Sequence, residues 1–332
     1  MYSFNKIPKK FWNILTSKVG SKITPLVVDV GARNGMYSLD ENYCKISKMV
    51  CFEPNKVEYE KLVLNKTDTS KAGIKEPEFR EKHYYNYCLW EKNVKKKFYI
   101  TNGAGACTLM GKTNYKDTNF FLSGRENTYE EEHTKIKNYY NVDCKKIDDF
   151  FHSDKIDFLK LDTEGSEYSI LKGSINKLKK KEILFIKTEF VFFKYYRNHK
   201  VLGEIQIFLN SLGYRLIHLD LQQPQYSPVK TKIPDCNDKG LMYAGDAYFC
   251  PDFSKLEFDE KTNKRLSLIS FALGFTNLGL FLQKKCSDLS DEHIKLLLGL
   301  LEKKSFLRQL IEFWKRIPMY AYIYLRKLFF IK

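Results

Sequence analysis

The sequence predicts an open α/β fold: a doubly wound, mostly parallel sheet over residues 23–252, with an amphipathic helix over 1–22 and a helical C-terminal appendage over 253–332. Three observations carry this. Short β-branched runs bounded by Gly or Pro alternate with stretches of helical period, as βα units require. The first run ends in a glycine turn, where sheets of this kind bind nucleotides. Acidic residues gather at the carboxyl ends of later runs, the edge at which such sheets place their ligands.

The N-terminal stretch MYSFNKIPKKFWNILTSK is basic and amphipathic. It has neither the continuous apolar region nor the small-residue cleavage site of a secretory signal. Ile23–Gly31 reads as a buried parallel strand. A short helix is expected over Met36–Ser47, then a second buried strand over Met49–Glu53, stopped by Pro54. Asn55 is placed to cap a helix reaching about Asn65. His83–Trp90 reads as a third strand and Lys96–Thr101 as its hairpin partner, with Phe98 and Ile100 on one side. Tyr115–Lys137 is polar and charged and is expected to form a mobile loop or lid. Ile156–Asp162 is the fourth strand, and Gly165–Lys180 a helix with Tyr168, Leu171, Ile175 and Leu178 on one face. Ile183–Phe193 is the fifth strand, and Leu202–Leu212 a helix ended by Gly213. Tyr214–Leu219 and Leu241–Cys250 close the sheet, and beyond Pro251 helical spacing returns at Ile294, Leu297, Leu298 and Leu301.

Composition narrows the function. The chain has 332 residues, 43% hydrophobic and 15% aromatic, enough apolar material to exclude disorder for most of its length. Its formal charge of +16 points to a polyanionic neighbour: nucleic acid, an anionic membrane surface or a phosphorylated substrate. None of the eight cysteines forms a C-x-x-C pair or has zinc spacing, so they read as reduced thiols of a cytoplasmic protein. No run of ~18 uncharged apolar residues is present, so no membrane span is expected. The last 82 residues carry 15 Lys and Arg against 9 Asp and Glu, so most of the excess charge lies elsewhere. Within them Trp314–Lys332 interleaves aromatics with cations. It reads as a peripheral contact with the inner face of a membrane, or as a helix packed on the catalytic domain or on a second copy in a homodimer. Nucleic acid is the least favoured partner, since no RNA-binding module signature is present.

Three features bear on chemistry. Val28-Asp29-Val30-Gly31-Ala32-Arg33-Asn34-Gly35 is a strand, a tight turn and a second glycine. Glycine lets a ligand approach the backbone, and the spacing is G-x-x-x-G, not the dinucleotide G-x-G-x-x-G. A nucleoside with a short side arm therefore suits it better than a pyrophosphate; a plain structural turn is the alternative. Glu53, ending the second strand, can accept hydrogen bonds from both hydroxyls of a ribose, or simply favour a helix start beside Pro54. Finally, Asp162, Glu164 and Glu167 cluster at the end of the fourth strand. Such acids serve as a general base or hold a cation, and the alternative is helix capping, to which Glu167 is assigned. His83 is a further candidate base, weighed against an ordinary surface histidine.

Together these residues resemble the FkbM family of S-adenosylmethionine-dependent methyltransferases, a branch of the Rossmann-like class I fold. The motifs are Asp29-Val30-Gly31-Ala32-Arg33-Asn34-Gly35, then Phe52-Glu53-Pro54, then Leu159-Lys160-Leu161-Asp162-Thr163-Glu164-Gly165-Ser166-Glu167 running to Leu171 and Gly173. Weaker echoes are Asn86–Trp90, Gly105-Ala106-Cys107-Thr108-Leu109, Glu189-Phe190 and Gly245–Phe249, so the similarity spans roughly 23–252. Thr163 and Cys107-Thr108 depart from the family's usual small aliphatic residue and serines without removing a charge. The resemblance implies methyl transfer from S-adenosylmethionine to a hydroxyl of a glycan or nucleotide-sugar acceptor. It implies cofactor contacts at Asp29, Gly31, Ala32, Gly35, Glu53, Pro54, Cys88 and Asp162, and catalytic roles for Asp162, Glu164 and Glu189. Mg²⁺ held by the three acids with the acceptor's hydroxyls is an additional expectation.

Overall fold

The computed structural model describes residues 7–18, 23–112, 132–196, 198–221, 242–287 and 289–300. Most of the expected lid, Cys236, and the aromatic-cationic stretch 314–332 lie outside the described residues. In chain order the strands are β1 (Leu26–Val30), β2 (Lys48–Phe52), β3 (Glu81–Tyr85), β4 (Cys88–Leu89), β5 (Val94–Thr101), β6 (Ile136–Lys145), β7 (Ile156–Leu161), β8 (Ile183–Val191), β9 (Tyr214–Leu221) and β10 (Ala244–Pro251). The helices are α1 (Lys9–Lys18), α2 (Glu41–Cys44), α3 (Lys56–Val63), α4 (Asp68–Lys71), α5 (Ile147–Phe151), α6 (Glu167–Lys172), α7 (Ile175–Lys179), α8 (Leu202–Ser211), α9 (Glu260–Ala272) and α10 (Thr276–Gln283). A further helical stretch covers 291–300.

The central sheet has seven strands in the order β3-β2-β1-β7-β8-β10-β9. Its strands pair in parallel except β10, which runs antiparallel to both β8 and β9. From β1 the chain moves outward through β2 and β3, then returns to lay β7 on the other side of β1. That reversal opens a crevice above the carboxyl ends of β1 and β7, where open α/β sheets bind ligands. This is the Rossmann-like, mostly parallel sheet that the sequence predicts.

Both faces of the sheet are covered, which is why its strands read as continuous apolar runs. On one face Val28, Val30, Leu159, Leu161 and Ile186 pack against Ile147 and Phe151 of α5, Ile170 and Leu171 of α6, and Leu202, Ile205 and Leu209 of α8. On the other, Val27, Met49, Phe158, Phe185 and Tyr248 share one core with Phe11, Trp12 and Leu15 of α1 and with Leu266, Ile269 and Phe271 of α9. The Arg265 guanidinium of α9 reaches the fully buried Asp157 carboxylate at 2.5 Å, which also accepts the Leu26 N–H at 2.7 Å.

Five sequence expectations need correction. His83–Trp90 is not one strand: β3 joins the central sheet, and β4 joins a second, three-stranded sheet of order β4-β6-β5. The Asn86 side chain causes the break by donating to the Glu53 and Pro54 carbonyls, which draws the chain out of line. Consequently β5 pairs with β6, not with the third strand, and residues 136–137 of the expected lid belong to β6. The helix expected from Met36 begins only at Glu41, where the Asp40 carboxylate caps it, because Met36 N–H is held by the Glu76 carboxylate. The helix expected over Gly165–Lys180 is two short helices interrupted at Gly173. A Cβ there would lie 2.1 Å from the Trp90 carbonyl oxygen, so a close backbone passage sets the break.

Candidate active site

The crevice between β1 and β7 holds a cavity of about 360 Å³, within the roughly 300–1,000 Å³ of small-molecule sites. Gly31 forms its floor at φ +80°, a conformation other residues adopt only with strain. A Cβ there would sit 1.8 Å from the Asp162 carbonyl oxygen, so only glycine allows the two strand ends to meet. The turn is fixed by Gly31 N–H and Ala32 N–H donating to the Phe52 carbonyl at 3.0 and 3.2 Å.

Glu53 forms part of the wall at the end of β2 and is nearly fully buried. One carboxylate oxygen accepts the Asn55 N–H at 2.8 Å. Burial pushes its carboxyl up to about 7, against the restraining effect of that hydrogen bond. Asn55 in turn caps α3 through the Val57 and Glu58 N–H groups, so Pro54 and the capped helix aim Glu53. The Tyr140 hydroxyl of β6 donates to the Pro54 carbonyl at 2.8 Å, tying the second sheet to this wall. Tyr87, Cys88, Phe98, Cys107 and Leu109 complete an apolar side.

The opposite lip is the loop after β7. Glu164 and Gly165 are both left-handed, at φ +55° and +100°. The loop is pinned by Glu167, whose carboxylate accepts from Thr163 N–H at 2.7 Å and Thr163 Oγ1 at 2.8 Å. This differs from the capping expected from sequence: the helix N-cap is Ser166, without a side-chain cap, and Glu167 in the first turn instead holds the preceding loop. The Thr108 hydroxyl donates to the Glu164 carbonyl at 2.7 Å and holds the loop from the second sheet.

Register arranges the charges in rows across the sheet. Asp29, Lys160, Lys187, Tyr248 and His218 are successive neighbours in one row. Lys160 Nζ lies 3.0 Å from Asp29 Oδ1 and 3.4 Å from Asp162 Oδ2. Burial alone would depress its ammonium; the two carboxylates more than offset this and hold it above the ordinary lysine range. Lys187 Nζ pairs with Asp246 Oδ2 at 2.9 Å. Two residues nearer the carboxyl edge, Glu189, Asp246 and Asp220 are in register, with Asp162 following β7 beside them. Burial, then Asp162, Glu164, Glu167 and Asp246, push the Glu189 carboxyl well above the usual range.

Of the residues singled out from sequence, Gly31, Gly35, Glu53, Pro54, Cys88, Asp162 and Glu164 line the cavity. Asp29, Ala32 and Glu189 lie outside the lining: Asp29 is fully buried against Lys160, and Glu189 stands one strand further along the acid row. His83 sits on edge strand β3 beside Glu81, away from the cavity. Sequence reasoning did not single out Lys160 and Lys187, although lysines inside otherwise apolar strands are themselves a signal of paired charge. It also missed Asn34, whose Oδ1 is buried in the glycine turn without a hydrogen-bond partner. Arg33 of the same turn is anchored by Glu58 at 3.2 Å and Asp68 at 2.6 Å. Among the described residues no group of three His, Cys, Asp or Glu side chains is gathered to hold a metal ion, so the Mg²⁺ expectation finds no support. Among them also, no helix is long and apolar enough to cross a membrane.

Comparison with known proteins adds a family. The model of the methyltransferase FkbM domain matches residues 29–216. Among solved structures, the chain is similar to methyltransferase FkbM from Methylobacillus flagellatus, with 17% identity and a TM-score of 0.36. That similarity covers 68% of this chain and 43% of that one, so the chain spans less than half of its length. It is also similar to Sp1610 of Streptococcus pneumoniae, described as a candidate tRNA (m1A22) methyltransferase, at 11% identity and a TM-score of 0.30. The second similarity covers 89% of this chain and 96% of that one. No curated protein matches the chain.

Proposed function

The chain belongs to the FkbM methyltransferase domain family, and on that premise we propose that it is an S-adenosylmethionine-dependent O-methyltransferase acting on a sugar or glycan hydroxyl. The observation that carries the reading is the buried Glu53 carboxyl facing the cavity from the end of β2, beside the Gly31 turn. A carboxylate there satisfies two ribose hydroxyls, and the partnerless Asn34 Oδ1 accepts from an ammonium. The tight Gly31 floor lets a ligand lie directly on the backbone. These features fit the nucleoside and the amino-acid arm of S-adenosylmethionine.

Bound in this cavity, the cofactor supplies an electrophilic methyl group. The protein then has to align an acceptor oxygen and remove its proton as the new bond forms. Asp162 is suited to receive that proton: it lines the cavity, its side chain is 46% exposed, and Lys160 steadies it from behind. Glu164, on the same lip, and Glu189, in the neighbouring strand, serve the acceptor's other hydroxyls or act as alternative bases. The test is a transfer assay with labelled S-adenosylmethionine over simple sugars, glycans and nucleotide sugars, with products identified by mass spectrometry. Methyl ethers on at least one sugar, reduced by a hundredfold or so in Asp162→Asn, are expected. Methylation confined to RNA or protein would replace the acceptor assignment, and full turnover by Asp162→Asn would remove it as the base.

A further inference from the structure

The chain is basic overall, yet acidic side chains line up at its reaction edge. We infer that the acceptor subsite lies at the carboxyl ends of β8 and β10, beside the methyl-donor cavity, and takes an amino sugar, discriminating against acceptors that carry a carboxylate or phosphate. This rests on the methyltransferase reading and specifies its acceptor.

The first observation is the acid row. Asp162, Glu189, Asp246 and Asp220 stand side by side across β7, β8, β10 and β9, with Glu164 on the adjoining lip. Among the described residues, two lysines beside it are already engaged, Lys160 between Asp29 and Asp162 and Lys187 with Asp246 at 2.9 Å, and His218 lies 3.0 Å from Asp220. An incoming anion therefore meets carboxylates and finds each of these two cations neutralised. Its desolvation and repulsion there are not offset by the distant basic surface, which is screened beyond about 10 Å. Thus a chain of +16 gathers a row of acids, among its described residues, at its reaction edge.

The second observation is a buried hydroxyl. Tyr196 is 1% exposed, and its hydroxyl has no hydrogen-bond partner. Its ring packs so closely over Gly165 that a Cβ on that glycine would lie 2.9 Å from Cδ2. Burial first, then the charges of Glu164 and, more weakly, Glu189, raise its hydroxyl above the ordinary tyrosine range. A buried hydroxyl left without a partner is destabilising unless a ligand completes it. Around it Phe193, Tyr195 and Tyr243 form an aromatic group at the end of β8 and the start of β10, with the Phe193 and Tyr243 centroids 5.5 Å apart. Aromatic faces beside carboxylates suit a cationic, donor-rich ligand: the rings attract an ammonium, and the acids accept its N–H and O–H groups.

The experiment uses the full chain saturated with S-adenosylhomocysteine and titrated with D-glucosamine, D-glucose and D-glucuronate at one ionic strength, followed by ligand-observed NMR. Glucosamine is expected to bind at least about threefold tighter than glucose, and glucuronate roughly tenfold weaker than glucose, as one like-charge contact implies. Asp246→Asn should narrow the glucosamine-to-glucuronate ratio by about threefold or more. Asp220→Asn, at the exposed rim, is the second variant should the first fail to fold, and it should narrow the ratio in the same direction. Equal binding of the three sugars, preference for glucuronate, or no sugar binding by a protein that still takes S-adenosylhomocysteine would overturn the subsite alone. Failure of S-adenosylhomocysteine itself to bind would overturn the methyltransferase reading and the subsite together.

Discussion

Replacing Glu53 with Gln should make the protein more stable and less able to bind its cofactor. The carboxyl is nearly fully buried, and burial raises it from 4.5 to about 7. In the unfolded chain it ionises near 4.5, so between these values the folded state holds a proton that the unfolded state has lost. Stability due to this group therefore falls as pH rises through that window and levels off above about 7. At roughly 1.36 kcal/mol per unit the full cost is on the order of 3 kcal/mol. Gln keeps the oxygen that accepts the Asn55 N–H and never ionises. Urea unfolding of both proteins at several pH values measures the difference. The variant should gain about 1–3 kcal/mol at pH 8, shrinking towards a constant offset near pH 4.5, while its affinity for S-adenosylhomocysteine drops by roughly 10- to 100-fold. A gap between the two proteins that does not change with pH, or a variant less stable at pH 8 than at pH 5 relative to wild type, would refute the reasoning.

Other expectations follow from the same geometry. Gly31→Ala forces a Cβ onto the Asp162 carbonyl at positive φ, so it should cost about 2 kcal/mol or more in urea unfolding and abolish cofactor binding. Arg265→Met leaves the buried Asp157 without its cation and should destabilise by roughly 3–5 kcal/mol, with much of the loss recovered by adding Asp157→Asn. Recovery that fails would mean α9 is held by something other than this pair. On the membrane-contact reading of 314–332, flotation on anionic liposomes depends on that stretch; unchanged flotation after its deletion would leave the packed-helix reading.

Much of the fold was legible because β1, β2, β7 and β8 are buried on both faces and so appear as unbroken apolar runs. What escaped depends on contacts distant in sequence. Nothing local to His83–Trp90 announces that the Asn86 amide will capture two carbonyls across the cavity wall. The break at Gly173 comes from the passage of Trp90, some eighty residues earlier in the chain. At the site, Gly31, Glu53, Asp162 and Glu164 were visible through motif spacing, and all four line the cavity. Asp29 shares the same motif, yet it sits two residues before the glycine turn, fully buried and paired with Lys160, and so does not reach the lining. The sign of charge at the acceptor edge was the least legible feature. A net charge adds every residue equally, whereas the acid row exists only once strand register sets Glu189 beside Asp246.

The most direct measurement is a calorimetric titration of the full chain with S-adenosylhomocysteine at pH 6, 7 and 8. One molecule should bind per chain, more tightly as pH rises through about 7, as the Glu53 carboxyl ionises to accept the ribose hydroxyls. Absence of binding by both S-adenosylhomocysteine and S-adenosylmethionine at every pH would contradict the assignment of this cavity as a methyl-donor site.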